Sequence, residues 1–182
     1  MKKIALFGGS FDPPHTGHMA VVEAALEQLD IDTLIIVPAY LNPFKSQVYA
    51  PASLRLKWLE EIYADDDRVV ISDYEIAMGR PVPTVETVRH FQETAEKLYL
   101  IVGADNLDSL KRWYAYEELD ARVTWVIARR DGIDVPQGFT TLDVDRAVSS
   151  TELRRSMAHC ELPPAVADAI AAYYKEYNAK TN

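Results

Sequence analysis

Residues 2–18 read KKIALFGGSFDPPHTGH, and the fold follows from them. KKIALFG (2–8) is a short apolar run closed by glycines, the pattern of a buried strand in a parallel sheet. From Thr16 to Leu29, apolar Val21, Val22, Ala25, Leu26 and Leu29 recur at helical spacing, with Glu23 and Glu27 on the other side. DTLIIVP (32–38) reads as the next strand, stopped by Pro38. Strand, helix and strand in about forty residues make a βαβ unit.

The alternation continues along the chain. A helix opened by Pro51 is expected over 51–64, with Leu54, Trp58, Leu59 and Ile62 on one face. RVVIS (68–72), KLYLIVG (97–103) and RVTWVIA (122–128) read as strands, and 84–95 as a helix. Ser149 or Ser150 can cap a helix running to about His159, and Pro163 opens a last one reaching about Tyr177. The pattern predicts an α/β fold, a doubly wound parallel sheet with helices on both faces, formed as a single domain over 1–182. Ligands in such sheets sit beyond the carboxyl ends of the strands, here the loops after residues 8, 38, 103 and 128. Trp58 and Trp125 are assigned to the core, and Cys160 to a small packing role.

Composition sets limits on function. Hydrophobic residues are 48% and charged residues 26% of the 182, as in ordinary globular proteins. One cysteine excludes an internal disulfide and fits a reducing, cytoplasmic setting. The first apolar run stops after four residues, too short for a secretory signal, and none approaches the ~20 needed to span a membrane. A net charge of −9 argues against a nucleic-acid partner. A polyanionic substrate must then be met by a local group of cations and N–H donors. A homo-oligomer is neither demanded nor excluded.

Gly8 and Gly9 lie between the first strand and the first helix, where a ligand can approach the backbone closely. The amides of Ser10 and Phe11 and the helix N-terminus offer donors suited to phosphate. Neither G-x-x-x-x-G-K-[ST] nor G-x-G-x-x-G is present. His15 and His18, three apart, project from one face of the first turn and can stabilise charge developing on a phosphate. A helix-capping histidine is the competing reading. A zinc site would need further ligands, and Cys160, His90 and His159 suggest no spacing for one, so no metal ligand set is assigned.

GGSFDPPHTGH (8–18) resembles the G-x-F-x-x-x-H-x-G-H signature of the nucleotidyltransferase superfamily, and SSTELR (149–154) its S-S-T-x-x-R signature. GADNLDSLKRWY (103–114), NPFK (42–45) and PTVET (83–87) are similar to segments of bacterial nicotinate-nucleotide adenylyltransferases, so the resemblance covers nearly the whole chain. It implies adenylyl transfer from ATP to nicotinate mononucleotide, with magnesium carried on the ATP phosphates. His15 and His18 would bind the phosphates, His18 nearest the reacting one. Ser149, Ser150, Thr151 and Arg154 would hold the β- and γ-phosphates, so that the C-terminal helices over 149–177 complete the ATP site. Lys45 would meet the mononucleotide phosphate, Asp105 a ribose, and Trp113 the pyridine ring. Thr84 and Tyr114 would give amides to the ring carboxylate. The bland alternatives are a surface Lys45, a helix-capping Asp105, a core Trp113 and a solvated Arg154.

The chain departs from the family at Pro83, where a tyrosine is usual, and this bears on the choice between acid and amide mononucleotides. Phosphopantetheine adenylyltransferase shares the paired signatures, but usually carries threonine where this chain has His15. A class I tRNA synthetase resembles parts of the pattern, yet 182 residues leave no room for a tRNA-reading domain. A catalytically silent nucleotide sensor is the rival from another class, and the intact His15, His18 and Arg154 argue against it.

Overall fold

A parallel six-stranded sheet in the order β3-β2-β1-β4-β5-β6 forms the centre of the computed structural model, which describes residues 1–42, 47–144 and 148–181. The strands are β1 (Lys2–Gly9), β2 (Thr33–Pro38), β3 (Val69–Ile71), β4 (Ala95–Gly103), β5 (Thr124–Ala128) and β6 (Thr140–Leu142). The helices are α1 (Thr16–Gln28), α2 (Ala52–Ile62), α3 (Tyr74–Ala77), α4 (Thr84–Gln92), α5 (Tyr116–Arg122), α6 (Ser150–Ser156) and α7 (Ala167–Thr181). Two 3₁₀ segments, Ala104–Arg112 and His159–Glu161, complete the described elements.

The apolar runs without polar interruption have their physical reason in this topology. Along β1, Ala5 and Phe7 face α1 and α2 through Val22, Ala25 and Leu59, while Ile4 and Leu6 face α4 and α5 through Val85, Val88 and Leu119. A strand covered on both faces needs apolar residues at every position. A third cluster, built on Trp58, Leu153, Ile170 and Tyr174, docks α6 and α7 against α2.

The chain winds outward from β1 to β3 and then crosses back to β4 on the other side of β1, which puts the switch of direction between β1 and β4. A crevice opens at such a point because the connections leave on opposite faces.

Several boundaries differ from expectation. β6 went unpredicted because three residues carry no readable period, and α3, α5 and the 3₁₀ segment at 104–112 are equally short or irregular. Pro51 is the N-cap of α2, one residue before the helix begins. Residues 93–95 belong to the turn and to β4, not to α4. α6 stops at Ser156 because Met157 turns left-handed (φ 46°) and its N–H closes on Leu153. Pro163 opens a turn and α7 itself starts at Ala167. Trp58 and Trp125 are buried as expected, whereas Cys160 is exposed on its 3₁₀ turn. The packing role read for that cysteine is therefore wrong.

Candidate active site

One cavity of about 650 Å³ lies at the carboxyl ends of β1 and β4, within the size range of small-molecule sites. All four loops expected after residues 8, 38, 103 and 128 reach its wall, through Ser10, Ala39, Asp105 and Arg129. Gly9, Ser10, Phe11, His15 and His18 form one side. Ser149, Ser150 and Thr151 form a second, and Thr84, Asp105, Trp113 and Tyr114 a third.

His15 and His18 cap the same helix end and also line the cavity. His15 is the N-cap of α1: its Nδ1 accepts the His18 N–H at 3.2 Å, and His18 Nδ1 accepts the His15 N–H at 3.2 Å. The rings stack with centroids 3.6 Å apart. With each Nδ1 used as an acceptor, the proton of a neutral ring sits on Nε2, so each imidazole is a neutral Nε2–H donor. Burial, helped by the nearby Arg130 cation, lowers the His15 pKa to about 4 and keeps that ring uncharged at neutral pH. Gly17 permits the arrangement, since a Cβ there would lie 3.0 Å from the His15 ring and 3.2 Å from Val148 Cβ.

The loop between β1 and α1 is pinned from behind. Phe11 takes φ 48°, unusual for an aromatic residue, with its ring edge-on to Phe7 and His18 at 5.5 and 4.8 Å. The buried Asp12 carboxylate accepts the N–H groups of Tyr49 (2.7 Å) and Ala50 (3.0 Å) and the hydroxyl of Tyr174 in α7. Arg55, fully buried in α2, donates to the carbonyls of Ser10 (2.5 Å), Tyr40 (3.1 Å) and Ala50 (3.0 Å). The Ser10 hydroxyl, on the cavity side, is buried without a partner among the described residues, as a group reserved for a ligand would be.

Ser149, not Ser150, is the N-cap of α6; its hydroxyl accepts the Glu152 N–H at 3.4 Å. Arg154 does not reach the cavity wall. It lies behind, where its guanidinium donates to the Asp12 carbonyl (2.6 Å) and the Thr151 hydroxyl (3.2 Å) and stacks 4.1 Å over the Tyr49 ring. It is half-buried and bound on several sides, so the solvated reading fails.

In the segment after β4, Asp105 is not a helix cap. Gly103 holds that position, and Asp105 pairs with Arg130 at 3.4 Å. A Cβ at Gly103 would lie 2.5 Å from Asp105 Oδ1, so the glycine is what lets the carboxylate turn inward. Trp113 is half-buried, edge-on to Trp125 at 6.2 Å, and forms part of the cavity wall, so it belongs to core and site together. Tyr114 is exposed at 70%. Thr84 begins α4 after Pro83, where a first-turn N–H has no acceptor within the helix. Beneath it, Thr87 donates to the buried Glu75 at 2.6 Å, and burial raises the Glu75 pKa above the usual carboxyl range. Lys45 lies outside the described residues.

Four residues of this site were not singled out from the sequence: Asp12, Arg55, Arg130 and Tyr174. A lone arginine on an amphipathic helix reads as a surface residue, and a tyrosine near the C-terminus gives no hint of an aspartate 162 positions earlier. Arg130 had a weak signal, since it follows one of the four strand ends where ligands were expected. No three His, Cys, Asp or Glu side chains converge as a metal site among the described residues.

Residues 6–156 match the cytidylyltransferase-like family. A Sulfurimonas denitrificans protein described as a probable nicotinate-nucleotide adenylyltransferase is 52% identical over 181 residues, covering 100% of both chains. One of the same description from Nitratiruptor sp. is 49% identical over 95% of this chain and 99% of its own. This chain belongs to the nicotinate-nucleotide adenylyltransferase family. The fold is that of the family as well: Plasmodium falciparum nicotinic acid mononucleotide adenylyltransferase complexed with NaAD superposes with a TM-score of 0.77 over 98% of this chain and 97% of that one, at 18% identity. The resemblance read from the two signatures and the 103–114 segment thus holds across the full length. His15 and His18 share one cavity wall, and no described helix is long and apolar enough to cross a membrane.

Proposed function

We propose that this protein transfers the adenylyl group of ATP to nicotinate mononucleotide, giving nicotinate adenine dinucleotide and pyrophosphate, a step of NAD biosynthesis. An oxygen of the mononucleotide 5′-phosphate attacks the α-phosphorus. The new P–O bond forms there as the bond to the bridging oxygen breaks, and that oxygen leaves on pyrophosphate. No protein nucleophile is required, so the protein's work is positioning and charge stabilisation.

The observation that carries this reading is a single cavity lined by two chemically different sets of residues. One set comprises the stacked His15 and His18, the Ser10 hydroxyl and the α6 start at Ser149–Thr151. The other holds Trp113, Asp105 and the first turn of α4. Neutral Nε2–H donors suit a phosphate whose charge grows in the transition state, because they add hydrogen bonds without a fixed ion pair to the ground state. His18 serves the α-phosphate. Ser149, Ser150 and Thr151, with Arg154 behind them, hold the β- and γ-phosphates, and the glycines and amides over 8–11 hold the ATP from the β1 side. In this reading α6 and α7 complete the ATP site of a single domain.

Trp113 stacks on the pyridine, Asp105 accepts from a ribose hydroxyl, and the amides of Thr84 and Tyr114 receive the ring carboxylate. Lys45 is assigned to the mononucleotide phosphate on the resemblance alone. The donor substrate in this reading is ATP carrying magnesium on its phosphate oxygens and water. The chemistry belongs to the cytoplasm, where ATP is abundant.

Pyrophosphate release from Mg-ATP tests this, with nicotinate mononucleotide, nicotinamide mononucleotide and phosphopantetheine supplied separately. Strong preference for the acid mononucleotide is expected. Equal use of the amide would remove the acid-reading role of Thr84 and Tyr114, and no turnover with any acceptor would favour the silent sensor.

A further inference from the structure

The acidic chain must supply local positive charge for a polyanion, and the described cavity wall carries three arginines, Arg112, Arg129 and Arg130. Arg129 is turned toward Asp143 at 3.5 Å with 56% of its side chain exposed, and Arg112 is an exposed residue ending a 3₁₀ segment. Arg130 faces inward. Its Nη2 donates to the Val148 carbonyl at 3.0 Å, next to the Ser149 cap of α6, and Nη1 approaches Asp105 Oδ2 at 3.4 Å. It is also close enough to His15 to help keep that ring neutral. One guanidinium therefore adjoins the imidazole wall, the α6 wall and the carboxylate of the mononucleotide end.

We propose that Arg130 is a phosphate-binding residue for ATP that exchanges its Asp105 contact for phosphate oxygens, releasing Asp105 to the mononucleotide ribose. The inference rests on the adenylyl-transfer reading above. The Arg130–Asp105 contact is built to be given up: at 3.4 Å it is longer than a tight charge-assisted bond, and its partners are 36% and 55% exposed. A phosphate chain lying between His15 and Ser149 meets the Arg130 fork with its Val148 anchor still in place. The exchange also couples the two substrates. ATP takes Arg130 and so frees the acceptor that the second substrate needs, and the second substrate must improve ATP binding by the same factor.

Calorimetric affinities of the purified full chain for α,β-methylene-ATP and for nicotinate mononucleotide, each alone and with the other saturating, test the proposal. The wild type is expected to bind each ligand tighter in the presence of the other. Arg130→Ala should weaken the ATP analogue about tenfold or more, as loss of a charged hydrogen bond does, and should abolish the coupling. Arg130→Lys, which keeps the charge but loses the fork, should restore part of the affinity. Asp105→Asn should leave the analogue bound as tightly or tighter while weakening the mononucleotide, and it stands as the second variant if Arg130→Ala does not fold. Wild-type analogue affinity in Arg130→Ala, unchanged coupling, or weaker analogue binding in Asp105→Asn would overturn it. Failure of the underlying reading looks different: the wild type itself would not turn over nicotinate mononucleotide.

Discussion

The hydroxyl of Tyr174, in the last helix, donates to the carboxylate of Asp12, in the first loop, 162 residues away. Asp12 in turn receives Arg154 on its carbonyl and the Tyr49 and Ala50 amides on its carboxylate. The C-terminal helix is thereby part of the floor beneath the loop that leads to His15 and His18. Tyr174→Phe leaves the ring packed and removes one donor to a buried carboxylate, a loss of about 1–3 kcal/mol. Urea unfolding should show that decrease, and steady-state kinetics should show a higher KM for ATP with little change in that for the mononucleotide. A uniform fall in activity with both KM values unchanged would make the contact structural only.

His18→Ala should lower kcat by about 10²-fold or more, as removal of a single charge-stabilising donor does. It also removes the acceptor of the His15 N–H, so a stability loss of roughly 0.5–2 kcal/mol should accompany it, the usual range for a lost helix cap. Unchanged turnover in a pyrophosphate-release assay would withdraw His18 from the site.

The buried His15 ties stability to pH. Its pKa is about 4 in the folded chain against an ordinary 6.5, so below 6.5 the unfolded chain takes up a proton that the folded one refuses. The contribution is fully present above pH 6.5 and is lost as the pH falls toward 4, amounting to about 3 kcal/mol at most. Unfolding free energies at pH 7, 5.5 and 4 should show the decline. Because Arg130 is the second cause of the depression, Arg130→Ala should move the His15 titration upward when followed by NMR, and an unmoved titration would contradict that electrostatic contact.

Gly103→Ala brings a Cβ to 2.5 Å from Asp105 Oδ1 and forces that carboxylate out of its place. The mononucleotide KM should rise more than the ATP KM. Equal effects on both substrates would separate Asp105 from the ribose.

Trp113→Ala should likewise weaken the mononucleotide more than ATP, since the ring lines the cavity in the segment that follows β4 together with Asp105. Isothermal titration with each substrate decides it; equal losses would leave Trp113 a packing residue against Trp125.

The alternating sheet, its two covered faces and the loop bearing His15 and His18 were all determined by local sequence. Apolar runs, turn residues and helical spacing act over a few residues, and KKIALFGGSFDPPHTGH holds strand, turn and helix start together. The cavity residues Gly8 to Phe11, His15, His18, Ser149 to Thr151, Asp105 and Trp113 were legible for the same reason, because each sits in a motif or at a strand end. Only the tertiary structure decided that Arg154 stands behind Thr151, that the Asp105 carboxylate meets Arg130, and that Asp12 is held by Arg55's neighbours and by Tyr174. Those partners lie far apart in the chain. Whether a charged side chain faces solvent or a buried carbonyl depends on which elements pack over it, and a single sequence has no local signal for that choice.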